Sequence, residues 1–208
     1  MRPDLYAAKY PHLRGGTLTL EEMAVRDTAY ALKTPTSEAI EIAAPAMAAL
    51  IDGPCWLVPV PASHGSLHAN LMLANAIARM VPGARVRCAV GRSHPVESSR
   101  ARRLRGLLGL GVEQHAIIRT AGPMEPLPLY FVDNVITTGN TITACRRALG
   151  WGTGLAYADA SSRWNTSRNL TFDQVLANHV ACHYEAPLPQ TATACHDTAQ
   201  LEFLSNPQ

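Results

Sequence analysis

Four short apolar runs, separated by longer segments of helical period, constrain the fold more than any other feature of this sequence. The runs are rich in branched side chains and cover residues 56–62, 86–91, 127–132 and 155–158. Strands that alternate with helices are typical of βαβ units and of a parallel sheet. We therefore predict an α/β fold in which a central parallel β-sheet is flanked by helices.

The segments between and before these runs carry helix signals. Apolar side chains recur at helical spacing over residues 67–81, and the Pro-Gly pair at 82–83 ends the pattern. Upstream, Thr-Leu-Glu-Glu at 19–22 fits a capping box, in which side chains satisfy free backbone N–H groups at a helix start. We therefore expect a helix over residues 20–33.

The next helix signal is less regular. Ser37 can cap a helix, but Pro45 cannot donate a hydrogen bond inside it. We therefore expect the stretch up to residue 51 to be kinked or divided.

Chain length and composition favour one domain. A chain of 208 residues with 47% hydrophobic content can bury the core of one ordinary domain and is short for two. Residues 1–208 are thus interpreted as a single domain with its core at about 37–164. Residues 165–208, rich in Asn, Gln, Thr and His, are interpreted as a C-terminal appendage.

Charge and cysteine usage restrict the class of protein. A formal net charge of +2 does not by itself indicate nucleic acid binding. The five cysteines form no CxxC pair, and Cys55 and Cys88 lie in or beside apolar runs, which predicts reduced, mostly buried thiols. The N-terminus lacks an apolar signal core, and no apolar run is long enough to span a bilayer. We expect a cytoplasmic protein with no membrane segment.

The most informative motif lies at residues 129–141, where an apolar run ends on an acid and passes into a hydroxyl-rich turn before a helix. Helix N-termini present unpaired N–H groups that suit a phosphate. Gly139 allows close approach of the backbone, and Asp133 is placed to accept hydrogen bonds from vicinal sugar hydroxyls. Such turns also occur at ordinary helix starts, but the complete array favours a sugar phosphate site. Its candidate ligand contacts are Asp133, Asn134, Thr137, Thr138, Gly139, Asn140 and Thr141.

This segment resembles the 5-phosphoribosyl-1-pyrophosphate (PRPP) signature of type I phosphoribosyltransferases. In that family four apolar residues precede two acids and a Thr-Gly-x-Thr-like loop, whereas the second acidic position here is Asn134. The resemblance implies the type I phosphoribosyltransferase fold, with the N-terminal region and the tail forming a small hood over the sheet. It also implies that Asp133 contacts the ribose hydroxyls and a Mg²⁺ cofactor.

A second strand-to-turn segment supports the first. Residues 56–65 run from an apolar stretch through Pro-Val-Pro into a turn of small residues, and such a turn can hold a pyrophosphate. The segment resembles the corresponding loop of the competence-F (ComF-like) branch of the family. By this resemblance the pyrophosphate contacts are Ala62, Ser63, His64 and Gly65.

A third feature is a basic stretch over residues 91–106, which holds five arginines and a single acid. Arginine suits phosphate because its planar fork donates two parallel hydrogen bonds. In type I phosphoribosyltransferases a mobile loop at this point closes over PRPP, which implies that Arg92 contacts the pyrophosphate and that Arg100 and Arg102 act in catalysis. A solvated basic helix face and a nucleic acid patch are the alternatives.

Together these features predict a Mg²⁺-dependent phosphoribosyltransferase that moves the phosphoribosyl group of PRPP to a nitrogenous base or amine and releases pyrophosphate. The expected partners are PRPP and a small-molecule base, and the protein can form a homodimer. Two alternatives remain open. Asn134 favours a non-catalytic PRPP or nucleotide sensor, and the arginines favour a DNA-associated accessory protein of competence type.

Overall fold

The computed structural model of the protein describes residues 3–11 and 17–161, without the side chains of Ser99, Arg100 and Arg103. The strands are β1 (Leu5–Lys9), β2 (Trp56–Pro59), β3 (Arg85–Val86), β4 (Val90–Arg92), β5 (Ile117–Arg119), β6 (Leu129–Ile136) and β7 (Thr153–Asp159). The helices are α1 (Leu20–Ala31), α2 (Ser37–Ala48), α3 (His68–Ala78), α4 (Ser99–Leu104) and α5 (Asn140–Leu149), with a 3₁₀ turn at Glu113–His115. The predicted appendage at 165–208 lies outside the described residues.

The predicted α/β architecture is confirmed. Five strands form one parallel sheet in the order β1-β7-β6-β2-β3. Alternate residues of the strands point to opposite faces. On one face Leu57, Val132 and Leu155 pack with α1, α2 and α3, whereas on the other face Val58 and Phe131 pack with α5.

The prediction of one strand over residues 86–91 was wrong. The chain leaves the central sheet after Val86, and the Ala89 N–H donates to the Arg87 carbonyl in a tight turn. Val90 then starts β4, which pairs antiparallel with β5 in a separate two-stranded sheet. A single apolar run thus supplies strands to two sheets, because local hydrogen bonding turns the chain between them.

The expectation that the N-terminal region forms a hood was also wrong for residues 5–9. These residues form β1, an edge strand that pairs parallel with β7. The Asp4 carboxylate fixes the start of this strand by accepting hydrogen bonds from Arg146 Nη2 at 2.6 Å and from the Gly154 N–H at 2.8 Å. Ala7 of β1 is fully buried in the hydrophobic core, so the packed core begins ahead of residue 37.

The helix signals are largely borne out. Thr19 and Glu22 form the predicted capping box of α1, and α3 occupies most of the predicted 67–81 segment. The alternative of a helix divided at Pro45 was wrong, because α2 runs through this residue without interruption. Proline already has a helical φ, and burial of its ring against the core offsets the missing donor.

The described cysteines are unpaired thiols. Cys55 and Cys145 are buried as predicted, whereas Cys88 is exposed beside the turn that ends β3. Within residues 3–11 and 17–161, every helix is too short or too polar to cross a bilayer.

Candidate functional site

We call the edge where β2 leaves the central sheet and β6 continues the crevice, after the place at which open parallel sheets bind ligands. Pairing between these strands ends at Pro59 and Val132, with one further hydrogen bond from the Val60 N–H to the Val132 carbonyl at 3.0 Å. Beyond this point, in the described part of the chain, β6 pairs only with β7. β2 leads to α3 on one face, and β6 leads to α5 on the other. In open parallel sheets, ligands bind where adjacent connections leave in opposite directions in this way.

Asp133 is the first residue of β6 beyond its pairing with β2, so its half-buried carboxylate faces the crevice. One carboxylate oxygen, Oδ1, accepts hydrogen bonds from the Asn134 N–H at 2.8 Å and from Asn70 Nδ2 at 3.3 Å. The buried Asn70 amide also donates to the Val60 carbonyl at 2.8 Å. Asn70 therefore ties the end of β2 to the acid on β6, a role that its sequence position alone does not reveal.

Burial raises the pKa of Asp133 to about 6, even though several neighbours favour its charged form. The Asn134 N–H and the Asn70 amide act through hydrogen bonds, and Arg92 and Lys33 act through their positive charge. A carboxylate whose pKa is raised by burial is typical of functional sites.

We expect carbon-detected NMR to give a titration midpoint near pH 6 for the Asp133 carboxyl group. Asn70→Ala should raise this midpoint, because it removes a donor that stabilises the ionised form. The free energy of unfolding should fall as pH rises from about 4 to about 6, because the folded state holds the proton more tightly than the unfolded state. A midpoint near 4 in the wild type would contradict the buried environment assigned to this carboxylate.

Asn134 faces the other side of the sheet. Its Nδ2 donates to the Ala29 carbonyl of α1 at 3.3 Å. The structure thus does not bring the Asn134 side chain together with the Asp133 carboxylate, because successive residues of a strand alternate between faces. Only the Asn134 backbone N–H reaches the Asp133 side of the crevice.

The predicted phosphate loop, residues 137–141, turns from β6 into α5. Gly139 adopts a left-handed conformation with φ of 74°, and no side chain caps the helix that follows. A carbon added at Gly139 would meet no atom within 4 Å, so the positive φ and not close packing favours glycine there. Thr138 Oγ1 accepts from the Asn140 N–H at 3.3 Å and shapes the turn, and Thr137 is half-buried beside it.

Two predicted ligand side chains of this loop bind protein groups instead. Asn140 Nδ2 donates to the Leu110 carbonyl at 2.7 Å, and Thr141 Oγ1 lies 3.3 Å from His115 Nδ1. The Thr141 N–H also lies in the first turn of α5, where helices lack internal acceptors, whereas the Asn140 N–H donates to Thr138 Oγ1. His115 is buried, and its burial and the nearby Arg92 lower its pKa. No sequence motif pointed to this histidine.

The predicted pyrophosphate loop is a tight turn directly after β2. The Gly65 N–H donates to the Ala62 carbonyl at 2.9 Å, and Gly65 has a φ of 96°. Ser63 is half-buried and its carbonyl accepts from the Val96 N–H at 2.8 Å, whereas His64 is exposed. The turn is therefore built by backbone hydrogen bonds.

Arg92, predicted to contact pyrophosphate, instead binds backbone carbonyls. Its guanidinium donates to Ala62 at 2.7 Å and to Pro61 at 3.2 Å, and Nη1 also donates to the His115 carbonyl. Such contacts position the turn and use three of the five guanidinium donors.

Arg102 is similarly engaged. Its Nε donates to the Leu108 carbonyl at 2.7 Å, and its Nη1 lies 3.6 Å from the Glu97 carboxylate. Arg105 also pairs with Glu97. Arg100 lies in α4, but its side chain is outside the described part of the structure.

The described side chains do not fit a resident Mg²⁺ site. Within residues 3–11 and 17–161, no three His, Cys, Asp or Glu side chains come together in a way that could hold a metal. Asp133 supplies one carboxylate to the crevice, and the neighbouring Asn134 amide faces α1. Mg²⁺ usually binds through one or two carboxylates plus substrate phosphates, so it would enter this crevice only as a counterion of the substrate.

Comparisons with known proteins leave the family of this chain open, because no family model, curated protein or solved structure matches it. The chemistry of the crevice itself therefore indicates the function. Its described parts are an acid at the open edge of β6, a glycine turn after β2 and an uncapped helix start after β6.

Proposed function

We propose that this protein binds PRPP in the crevice between β2 and β6 and transfers its 5-phosphoribosyl group to a nitrogenous base or amine. The fold we propose for it is accordingly of the type I phosphoribosyltransferase kind. The observation that carries the proposal is the half-buried Asp133 carboxylate, held by Asn70 between two glycine-containing turns.

Each part of the crevice matches one part of the ligand. The Asp133 carboxylate can accept hydrogen bonds from the vicinal ribose hydroxyls. The start of α5 behind Gly139 suits the 5-phosphate, because the N–H groups of a first helical turn and the positive end of the helix dipole favour an anion. The turn at residues 62–65, on the other side of the crevice, would then bind the pyrophosphate group.

In the proposed reaction the bond between ribose C1 and the pyrophosphate oxygen breaks, and a bond between C1 and the acceptor nitrogen forms. The bonding electrons leave with pyrophosphate, and the acceptor nitrogen loses a proton. The transition state is cation-like at the sugar, so the protein acts by orienting the reactants, stabilising the departing negative charge and excluding water. Backbone N–H groups of the two turns, other than those of Ala62, Gly65 and Asn140, which donate within the turns, are the donors best placed to do so.

Mg-PRPP incubated with a panel of purine and pyrimidine bases tests the proposal. We expect base-dependent release of pyrophosphate, together with saturable PRPP binding in calorimetry. A protein that neither binds PRPP nor releases pyrophosphate with any base would contradict the assignment. Asp52→Asn is a suitable control variant, because Asp52 is exposed ahead of β2 at the opposite end of the strand.

A non-catalytic PRPP sensor is the second candidate, and the side-chain contacts give specific reasons for it. The Arg92 and Arg102 guanidinium groups bind backbone carbonyls, and the Asn134 amide turns toward α1. Among the described side chains, fewer hydrogen-bond donors are thus available to a ligand than the sequence predicts. Tight PRPP binding without pyrophosphate release, under every base tested, would identify the sensor.

The arginine-rich segment gives weaker support for a DNA-associated protein, because Glu97 pairs with Arg102 and Arg105. Salt-sensitive retention on DNA that is lost in Arg102→Ala would favour that function.

A further inference from the structure

The two turns of the crevice are connected by a chain of contacts behind it. Arg92 binds the Pro61 and Ala62 carbonyls of the turn after β2 and also donates to the carbonyl of His115. The fork of an arginine holds such a set of acceptors rigidly, because its donors are coplanar. The position of the first turn is therefore fixed relative to residue 115.

The same residue, His115, contacts the second turn. Its ring nitrogen Nδ1 lies 3.3 Å from Thr141 Oγ1 in the first turn of α5. The neighbouring Asn140 amide donates to the Leu110 carbonyl at 2.7 Å, which attaches the helix start to the same segment at a second point. Because His115 is buried, water competes little for these contacts.

We infer that Arg92 and His115 form a loop clamp, a pair of positioning residues that holds the two turns at the separation required by a ligand with phosphate groups at both ends. The inference rests on the proposed function, since it concerns how the same crevice selects PRPP over smaller phosphates. A ligand that occupies both turns gains from preorganisation, whereas a ligand that occupies one turn does not.

The test compares the affinities of Mg-PRPP, ribose 5-phosphate and pyrophosphate for full-length variants by calorimetry. His115→Leu, which removes the ring nitrogens, should weaken PRPP binding about tenfold and change the other two affinities by less than about twofold. Arg92→Lys, which keeps the charge but not the fork, should have the same selective effect. His115→Asn should restore PRPP affinity, because its amide can reach Thr141 as Nδ1 does.

His94→Leu is the matched control, because His94 is exposed and lies outside the loop clamp. Its affinity for all three ligands should equal that of the wild type. Unchanged PRPP affinity in both clamp variants, or an equal loss for all three ligands, would overturn the loop clamp while leaving the proposed function intact. Failure of the wild type to bind any of the three ligands would overturn the proposed function and the loop clamp with it.

Discussion

Asp133→Asn is expected to weaken PRPP binding by about 100-fold, or ~2.7 kcal/mol, while making the free protein more stable at pH 8. Binding falls because the neutral amide loses the charge-assisted hydrogen bonds that an ionised carboxylate accepts from sugar hydroxyls. Calorimetry with Mg-PRPP at pH 8 measures this loss. Asp52→Asn removes a carboxylate of the same type at an exposed position and should bind like the wild type.

Stability should change in the opposite direction. At pH 8 the wild-type protein holds an ionised carboxylate whose pKa burial raises from 3.8 to about 6. Asparagine removes that charge and can still accept through Oδ1 from Asn70 and the Asn134 N–H. The free energy of unfolding at pH 8 should therefore rise by as much as ~3 kcal/mol.

The pH dependence of this difference is part of the prediction. Near pH 4 the folded wild type carries a protonated Asp133, so the two proteins should have nearly equal stability. Urea unfolding at pH 4 and pH 8 measures both values. If Asp133→Asn bound PRPP as tightly as the wild type, the assignment of the site would be wrong. If its free energy of unfolding at pH 8 equalled that of the wild type, burial would not destabilise the ionised carboxylate.

Gly152→Ala is expected to lower the free energy of unfolding by roughly 3–5 kcal/mol, because steric overlap adds to backbone strain. Gly152 has a φ of 126°, and a Cβ there would lie 2.4 Å from Phe131 Cε2 and 2.7 Å from Leu129 Cδ2. Phe131 is fully buried between the sheet and α5, so its ring has little space to move. Urea or thermal unfolding measures the loss.

Gly150→Ala separates the two causes. Gly150 ends α5 with a φ of 93°, but a Cβ there would meet no atom within 4 Å. Gly150→Ala should therefore lower the free energy of unfolding by the backbone strain alone, about 1–2 kcal/mol. Equal losses in the two variants would show that the Phe131 ring moves freely and that close packing does not explain the glycine at 152.

Local patterns predicted the elements that hold the site, because each depends on residues close in sequence. The capping box at Thr19 and the helix over residues 68–78 need only a few neighbouring residues. The apolar runs likewise indicated a parallel sheet. They did not indicate β1 or the division between β3 and β4, because edge pairing and sheet exchange depend on distant partners.

The crevice residues likewise fall into those that the sequence identifies and those that only the fold reveals. Asp133 could be identified from sequence because an acid after a buried run is a local signal. Asn70, His115 and the actual contacts of Arg92 could not, because Asn70 and Asp133 are 63 residues apart and the contacts of Arg92 and His115 join residues 23 to 31 apart.

The sequence by itself determined the parallel sheet, the helix starts and the two turns after β2 and β6, because backbone preference and apolar period are properties of short segments. Only the tertiary structure decided that β2 ends its pairing at Val132, so that Asp133 lies at an open edge. It also decided that the Arg92 and Asn134 side chains donate to backbone carbonyls of this protein, at Ala62 and Ala29. Side-chain direction depends on which donors and acceptors the fold brings within reach, and a buried donor must find a partner there.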